Sequence, residues 1–423
     1  MPDTIDYTGL LSLAGEISRE SHLEGLLLQI LGKSLPWMRV EACSIFLPDE
    51  ETGDLVIHSA QGDKVPQLGA LRVPAGQGIV GVAMTEKRLI RVDDAAHDDR
   101  VYKEADKKTG WTTRALLAAP LLDGEECLGV IEFLNPSGRP AFTEGDERLV
   151  EYFAGLVASA LGRVRAQTAA LERVALQREL DLARELQAGL LPKSFPDEEA
   201  SPTLEVYARL DPAKEVSGDL YDFFFIEPGK LCFVVGDVSG KGVAAGLFMA
   251  MTRTLVRAMA RPGMSPSEIL SRVNVELCRD NEACLFVTMI LGIADVATGE
   301  VVCGLGGHNP VIYWGSSGKP EFGPLGGAPI GVMEKATFPQ WSTVLGHHEI
   351  LMVYTDGVPE AMNERDELFT NGRLLAMAES CGETSSREVA DSVAGAVADH
   401  VGRAEPSDDV TIMVLRRRDE EKK

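Results

Sequence analysis

Residues 149–191 contain almost no Gly or Pro and are rich in Ala, Leu, Glu, Arg and Gln, and this run constrains everything around it. Ala and the straight-chain residues lose little rotamer freedom in a helix, so the composition predicts one long helix. Pro192 ends it, because proline has no N–H to donate and its ring clashes with the preceding turn. Leu176, Leu180, Ala183, Gln187 and Leu190 follow 4-3-4-3 spacing, while Arg173, Glu179, Asp181, Arg184 and Glu185 lie outside that stripe. The repeat lasts about two heptads, which suits a seam between two helices and a stripe packed on the next domain equally well. On either reading the helix joins two domains, as a chain of 423 residues allows at roughly 150 residues per domain.

Upstream, a helix is expected over 10–31. Strand-like runs follow at Cys43-Ser-Ile-Phe-Leu-Pro48, Leu55-Val-Ile-His-Ser59, Ala115-Leu-Leu-Ala-Ala-Pro-Leu121 and Leu128-Gly-Val-Ile-Glu-Phe-Leu134. Turn chemistry at Glu51-Thr-Gly-Asp54 and Asp123-Gly124 separates them, and a Gly-rich element, 75–83, opens a short helix. Downstream of Pro192 strands are expected at 204–210, 219–226, 230–237, 286–296, 299–304, 311–314, 349–355 and 409–415. Helices at 242–260 and 266–278 sit together in the middle, the second opened by a capping box at Ser265 and Glu268, and two more occupy 372–401. Grouped strands beside grouped helices point to packed sheets flanked by helices, not to an alternating parallel sheet.

Composition narrows the function classes. Lys plus Arg total 41 against 65 Asp plus Glu, a formal charge of −24 that repels phosphate backbones and anionic lipid, so neither nucleic acid nor membrane is an expected partner. The most apolar stretch, 284–294, is far shorter than the roughly 20 residues of a membrane helix. The seven cysteines have no C-x-x-C spacing and read as reduced thiols, and the acidic N-terminus carries no basic leader, so a cytoplasmic location is expected.

In the second half, Asp residues recur at the ends of apolar strands beside Gly. They are Asp219 in Val216-Ser-Gly-Asp-Leu-Tyr-Asp222, Asp237 in Gly236-Asp-Val-Ser-Gly-Lys-Gly242, Asp356 in Thr355-Asp-Gly357, and the pair Asp408-Asp409. Carboxylates brought together at buried strand ends raise one another's pKa unless a cation neutralises them, and hard divalent ions do so well. Singly, each has a plainer reading: Asp356-Gly357 as a turn, Asp219 as a cap, Asp408-Asp409 as a solvated loop. Gly236-Asp-Val-Ser-Gly-Lys-Gly242 is harder to dismiss, since its glycines permit close backbone approach to a ligand. His308, in Gly306-Gly-His-Asn-Pro310, is read as a turn or packing residue, and no histidine has partners at zinc spacing. Lys241 is read as lying on the helix surface.

These motifs, with Ala183-Arg-Glu-Leu-Gln-Ala-Gly-Leu-Leu-Pro192, Gly307-His-Asn-Pro310, Thr355-Asp-Gly-Val-Pro-Glu-Ala361 and Asp408-Asp-Val-Thr411, make the region 180–416 similar to the PPM-type metal-dependent protein phosphatases of the bacterial SpoIIE-like branch. The resemblance implies an αββα sandwich that hydrolyses phosphoserine or phosphothreonine on a protein through a metal-activated water. It also implies two divalent cations, Mn2+ or Mg2+, with Asp237 bridging them, the Val238 carbonyl facing one, and Asp219, Asp356, Asp408 and Asp409 completing the set. Asp219 and Asp237 carry the catalytic role in that scheme, and Asp222 stands behind them. Val238-Ser239 occupies the place of a Gly-His pair found in eukaryotic relatives, and their phosphate-gripping Arg has no counterpart here.

Residues 15–163 resemble a GAF domain, through Ser44-Ile-Phe-Leu47, Pro74-Ala-Gly-Gln-Gly-Ile-Val-Gly81, Ala118 to Asn135, and Phe142-Thr-Glu-Gly-Asp-Glu147. Asn135, Phe142, Asp146 and Glu147 are similar to a signature of cyclic-nucleotide-binding members, with Pro136 where a basic residue usually stands. The expected architecture is thus α+β: a GAF sensor domain at 15–163, which either takes a small ligand or serves as a dimer scaffold, a helical linker at 164–192, and a phosphatase domain at 193–418. The implied partner is a phosphorylated anti-sigma-factor antagonist, and the implied assembly a homodimer whose linker helix carries the control signal. The alternatives are a catalytically silent phosphoprotein-binding scaffold and a hydrolase of small phosphoesters.

Overall fold

The computed structural model describes residues 23–62, 71–109, 111–196, 201–279, 281–314, 319–381 and 384–418, which fall into two compact units divided between Ala175 and Leu176. The part of the expected first helix before Leu23 lies outside the described residues.

In the first unit the chain runs α1 (Leu23–Met38), β1 (Val40–Pro48), β2 (Leu55–Gly62), β3 (Arg72–Val73), α2 (Gly78–Glu86), β4 (Ile90–Val92), α3 (Lys103–Thr109), β5 (Leu116–Asp123), β6 (Glu126–Pro136) and the first part of the long helix α4 (Glu144–Leu190), whose residues from Leu176 onward belong to the second unit. Six strands pair antiparallel in the order β3-β2-β1-β6-β5-β4. Period-2 alternation divides each strand between two cores. Ile131 and Phe133 of β6 join Leu27, Ile30, Phe153, Val157 and Leu161 beneath α1 and α4. Val130, one residue out of phase, packs with Phe46, Ile79, Val80 and Leu116 beneath α2. Helix α4 is one uninterrupted element of 47 residues, and it begins at Glu144, ahead of the expected start, because Asp146 accepts hydrogen bonds from Thr143 N (2.7 Å) and Oγ1 (2.8 Å) and satisfies the first turn.

The second unit continues with β7 (Leu204–Asp211), β8 (Leu220–Glu227), β9 (Lys230–Val238), α5 (Val243–Met259), α6 (Pro266–Cys278), β10 (Val287–Asp295), β11 (Glu300–Gly306), β12 (Ile312–Trp314), β13 (Pro320–Phe322), β14 (Gln340–Val344), β15 (Ile350–Tyr354), α7 (Thr370–Ser380), α8 (Ser386–Val401) and β16 (Val410–Arg417). Two five-stranded antiparallel sheets form, β14-β11-β10-β9-β8 and β13-β12-β15-β16-β7. Their facing sides share one core that includes Phe223, Phe233, Val235, Ile290, Val353 and Met413. The outer side of the first sheet packs on α5 and α6 through Val234, Phe248, Met249, Ile269 and Met289, and that of the second on α7 and α8 through Met352, Tyr354, Leu374, Val393 and Ile412. Being covered on both faces, the central strands read as continuous apolar runs, and the result is the expected αββα sandwich. Strands β13 and β14 were not expected: each is short, and β14 alternates exposed and half-buried positions along a sheet edge. No helix among the described residues is long and apolar enough to cross a membrane.

Candidate metal centre

Antiparallel pairing gathers the acidic residues. Leu220 at the start of β8 pairs with Gly236 near the end of β9, which sets Asp219 beside Asp237. Tyr354 at the end of β15 pairs with Ile412 of β16, which sets Asp356 beside Asp408 and Asp409. Both junctions lie at the same end of the stacked sheets, so the two groups face each other across the core. Glycine makes the approach possible: a Cβ on Gly357 would sit 1.9 Å from the Asp409 carbonyl oxygen, and one on Gly218 would sit 3.0 Å from the Val238 carbonyl oxygen. Asp356-Gly357 is therefore a close backbone contact, not a free-standing turn.

The electrostatics record this convergence. Burial and the neighbouring charge of Asp237 push the Asp219 carboxyl well above the usual carboxylate range. Asp237 is pushed up to about 7 by burial and then by Asp356 and Asp408, and Asp356 is raised by burial, Glu360 and Asp408. Loss of hydration on burial is the first cause in each case, and repulsion from neighbouring carboxylates adds to it. The donor set is all oxygen, the chemistry hard divalent cations select. Among the described residues, no three His, Cys, Asp or Glu side chains are drawn tightly enough around one point to hold an ion as they stand.

Several of these oxygens are engaged by the protein. Asp219, 2% exposed, accepts through Oδ2 from Thr355 Oγ1 (2.8 Å) and Thr411 Oγ1 (2.5 Å). Asp409 accepts from Ala213 N (2.8 Å) through Oδ1, and from Ser217 Oγ (2.7 Å) and Gly218 N (2.9 Å) through Oδ2, so it clasps the loop that presents Asp219. Lys241 Nζ donates to Asp408 Oδ2 (2.9 Å) and to the Ser407 carbonyl (2.8 Å), which places this lysine at the rim of the acidic cluster and not merely on a helix surface. Asp222 is fully buried on the other side of the sheet, where Arg257 reaches it through Nε (2.5 Å) and Arg253 through Nε (3.0 Å). His308 is buried, its Nδ1 2.8 Å from Thr288 Oγ1.

Sequence reasoning missed Ser217, Thr355 and Thr411 as partners of the acids, although all three stand inside the quoted motifs. It also placed Gln187 in a helical seam without naming what it meets. Gln187 Oε1 accepts from Ser217 N (2.9 Å) and its Nε2 donates to Ser217 O (2.6 Å), so the end of α4 is hydrogen-bonded to the backbone two residues before Asp219.

Comparison with known proteins agrees with both halves. A model of Stage II sporulation protein E (SpoIIE) matches residues 227–418, and a GAF domain model matches residues 22–161. Protein IcfG of Synechocystis sp. is 28% identical over 266 residues, 56% of this chain and 41% of that protein. Phosphoserine phosphatase RsbU of Bacillus subtilis is 25% identical over 244 residues, 57% of this chain and 71% of the relative. The chain thus spans about two fifths of the first relative's length and seven tenths of the second's. Among solved structures, the SiaA-PP2C domain of Pseudomonas aeruginosa shares the fold, with 20% identity, a TM-score of 0.50, and coverage of 58% of this chain and 98% of that one. The paired sheets and the strand-end acids thus stand in a region, residues 227–418, that matches the SpoIIE family and shares the fold of a PP2C domain, behind a region, residues 22–161, that matches the GAF family.

Proposed function

We propose that the chain is a cytoplasmic, metal-dependent serine/threonine phosphoprotein phosphatase controlled by its GAF domain, and that it acts on a phosphorylated regulatory protein of the anti-sigma-factor-antagonist type. The observation that carries this reading is the convergence of Asp219, Asp237, Asp356 and Asp408 at one end of the paired sheets, with the affinities of three of them for protons raised. Asp237 and Asp356, with Asp408 and the Val238 carbonyl, would hold the cations, Mn2+ or Mg2+, and Asp219 would complete the set. Bound there, two such ions supply an acidified water and charge for the phosphoryl oxygens. The remaining residues position these ligands. Thr355 and Thr411 hold one oxygen of Asp219, and Asp409 fixes the loop from Ala213 to Gly218 beneath it. Lys241 orients Asp408. The similarity to RsbU, a phosphoserine phosphatase, supports the substrate class.

The test is to incubate the purified chain with a phosphorylated antagonist protein, a nucleotide panel and a small phosphoester, with manganese, magnesium or a chelator. Release of phosphate from the protein alone, dependent on metal, is the expected result. Turnover of small phosphoesters without phosphoprotein would favour the broader hydrolase, and no turnover with intact phosphoprotein binding would favour the scaffold. Asp237→Asn should lower turnover at least about 100-fold, the scale of losing a charge-stabilising group. Without metal the same variant should unfold at a higher temperature than wild type, because one of the repelling charges is gone. Unaltered turnover in Asp237→Asn would remove the site from consideration.

A further inference from the structure

The first unit holds a cavity of about 90 Å3 between its sheet and α2. A water needs ~10–15 Å3 by this measure, so the cavity has room for roughly six to nine heavy atoms. Its walls are largely apolar, with Phe46, Ile79, Leu116 and Leu134 among them. Glu132 breaks that pattern. Strand pairing sets it opposite Ser44 in the middle of the sheet, so its carboxyl stands on the cavity floor, and Asp106 of α3 lines the same space. Asp106 is already held by Thr113, through N (2.9 Å) and Oγ1 (2.8 Å), while Ser44 is the hydrogen-bond partner of Glu132. Among the described residues that line the cavity there is no Lys, Arg or His to balance the two acids. Burial, and then the charge of Asp106, push Glu132 up to about 7. A desolvated carboxylate is costly unless something brings it a counter-charge or donors.

We propose that this cavity binds a small organic cation, an amine or amidinium carried on a compact apolar body, with Glu132 as its counter-charge and Asp106 as a second acidic wall. The inference rests on the reading of the first unit as the sensing module. Anionic nucleotides are opposed by the same two acids. The residues similar to a cyclic-nucleotide signature are occupied elsewhere: Asn135 accepts from Arg114 N (2.8 Å) and donates to Glu41 and the Thr112 carbonyl (3.0 Å each), and Asp146 pairs with Arg139 (2.7 Å). They hold loops and a helix start, not a ligand.

The experiment uses the full chain and follows thermal unfolding and calorimetric binding with benzylamine and benzamidine as cations, benzyl alcohol as the neutral analogue, and benzoate and cyclic AMP as anions. The cations should bind and raise the unfolding temperature, as any ligand selective for the folded state does. Glu132→Gln should weaken them roughly ten-fold or more, the scale of a charge-assisted hydrogen bond, and Asp106→Asn should do so less. Equal binding of benzoate or cyclic AMP, unchanged cation affinity in both variants, or no cation binding at millimolar concentration would each overturn the proposal. Because binding is read without substrate turnover, its failure is distinct from failure of the phosphatase reading.

Discussion

Three positions separate Asp219 from Asp222, and because side chains alternate along a strand the two acids meet opposite surroundings. Asp219 reaches Thr355 and Thr411 in the cluster at the sheet ends, while Asp222 is closed off beneath α5 with Arg253 and Arg257. Asp222→Asn should therefore act on stability, costing about 3 kcal/mol by leaving guanidinium charge without its buried partner. Urea unfolding would show the loss, while manganese affinity of the folded fraction should stay within two-fold of wild type, a spread worth about 0.4 kcal/mol. A large fall in metal affinity would return Asp222 to the site. His308 makes a second residue-scale prediction. Burial lowers its pKa to about 4 from the ordinary 6.5, so as pH falls through this window the unfolded chain takes up the proton first. Stability is then complete above about pH 6.5 and falls toward pH 4, by about 2 kcal/mol between pH 7.5 and pH 5. His308→Asn should flatten that limb in paired urea titrations, and an identical slope in both proteins would show that the imidazole is not what titrates.

At the scale of elements, α4 carries two stripes. Leu180 and Ala183 are half-buried and Gln187 is buried against Ser217, whereas Leu171, Val174, Leu182 and Leu186 are between 49% and 67% exposed. At 100° per residue the two groups lie roughly 150° apart around the helix, so they are separate faces. Of the five residues in the 4-3-4-3 spacing, Gln187 meets the following domain, while Leu176 and Leu190 stay 59% and 38% exposed, so both readings of that spacing stay open. Gln187→Leu removes both hydrogen bonds to Ser217 and buries an alkyl group there, so it should loosen the Asp219 loop and set activity at one level whatever the state of the GAF domain. A change of five-fold or more in turnover, about 1 kcal/mol, with the response to sensor-domain deletion lost, is the expected result. Unchanged turnover that still responds would place the switch elsewhere. The capping box of α6 was legible from Ser265 and Glu268 because it is local, and the structure contains both of its hydrogen bonds. Strands β13 and β14 were not, because short edge strands have too few residues to show a period.

For the whole molecule, the exposed stripe of α4 is an apolar surface on a highly acidic chain, and a homodimer of the kind that the family resemblance implies would cover it by pairing it with the same helix of a second copy. Leu182→Glu with Leu186→Glu should convert a dimer to a monomer in light scattering, with each unit still folded by circular dichroism. A wild-type protein that is monomeric at micromolar concentration would remove the proposal. Two domains, the long helix between them and the layered sheets were all readable along the chain, because periods of 2.0 and 3.6 residues report which faces are buried. The Asp residues at strand ends were readable for the same reason, since each strand stops where its apolar run stops.

What the amino-acid order determined alone is thus the kind and sequence of elements, and the set of acids from which the centre is drawn. The tertiary structure decided how each acid is used: Asp409 clasping a loop, Asp219 held by two threonines, Asp222 paired away beneath α5, and Glu132 standing in an apolar cavity. The partners of Asp219 lie 136 and 192 positions away in the chain, far beyond the reach of any local pattern. Burial follows from periodicity, but the fate of a carboxylate depends on which donors and charges folding brings within about 3 Å of it, and that is a property of the packed whole.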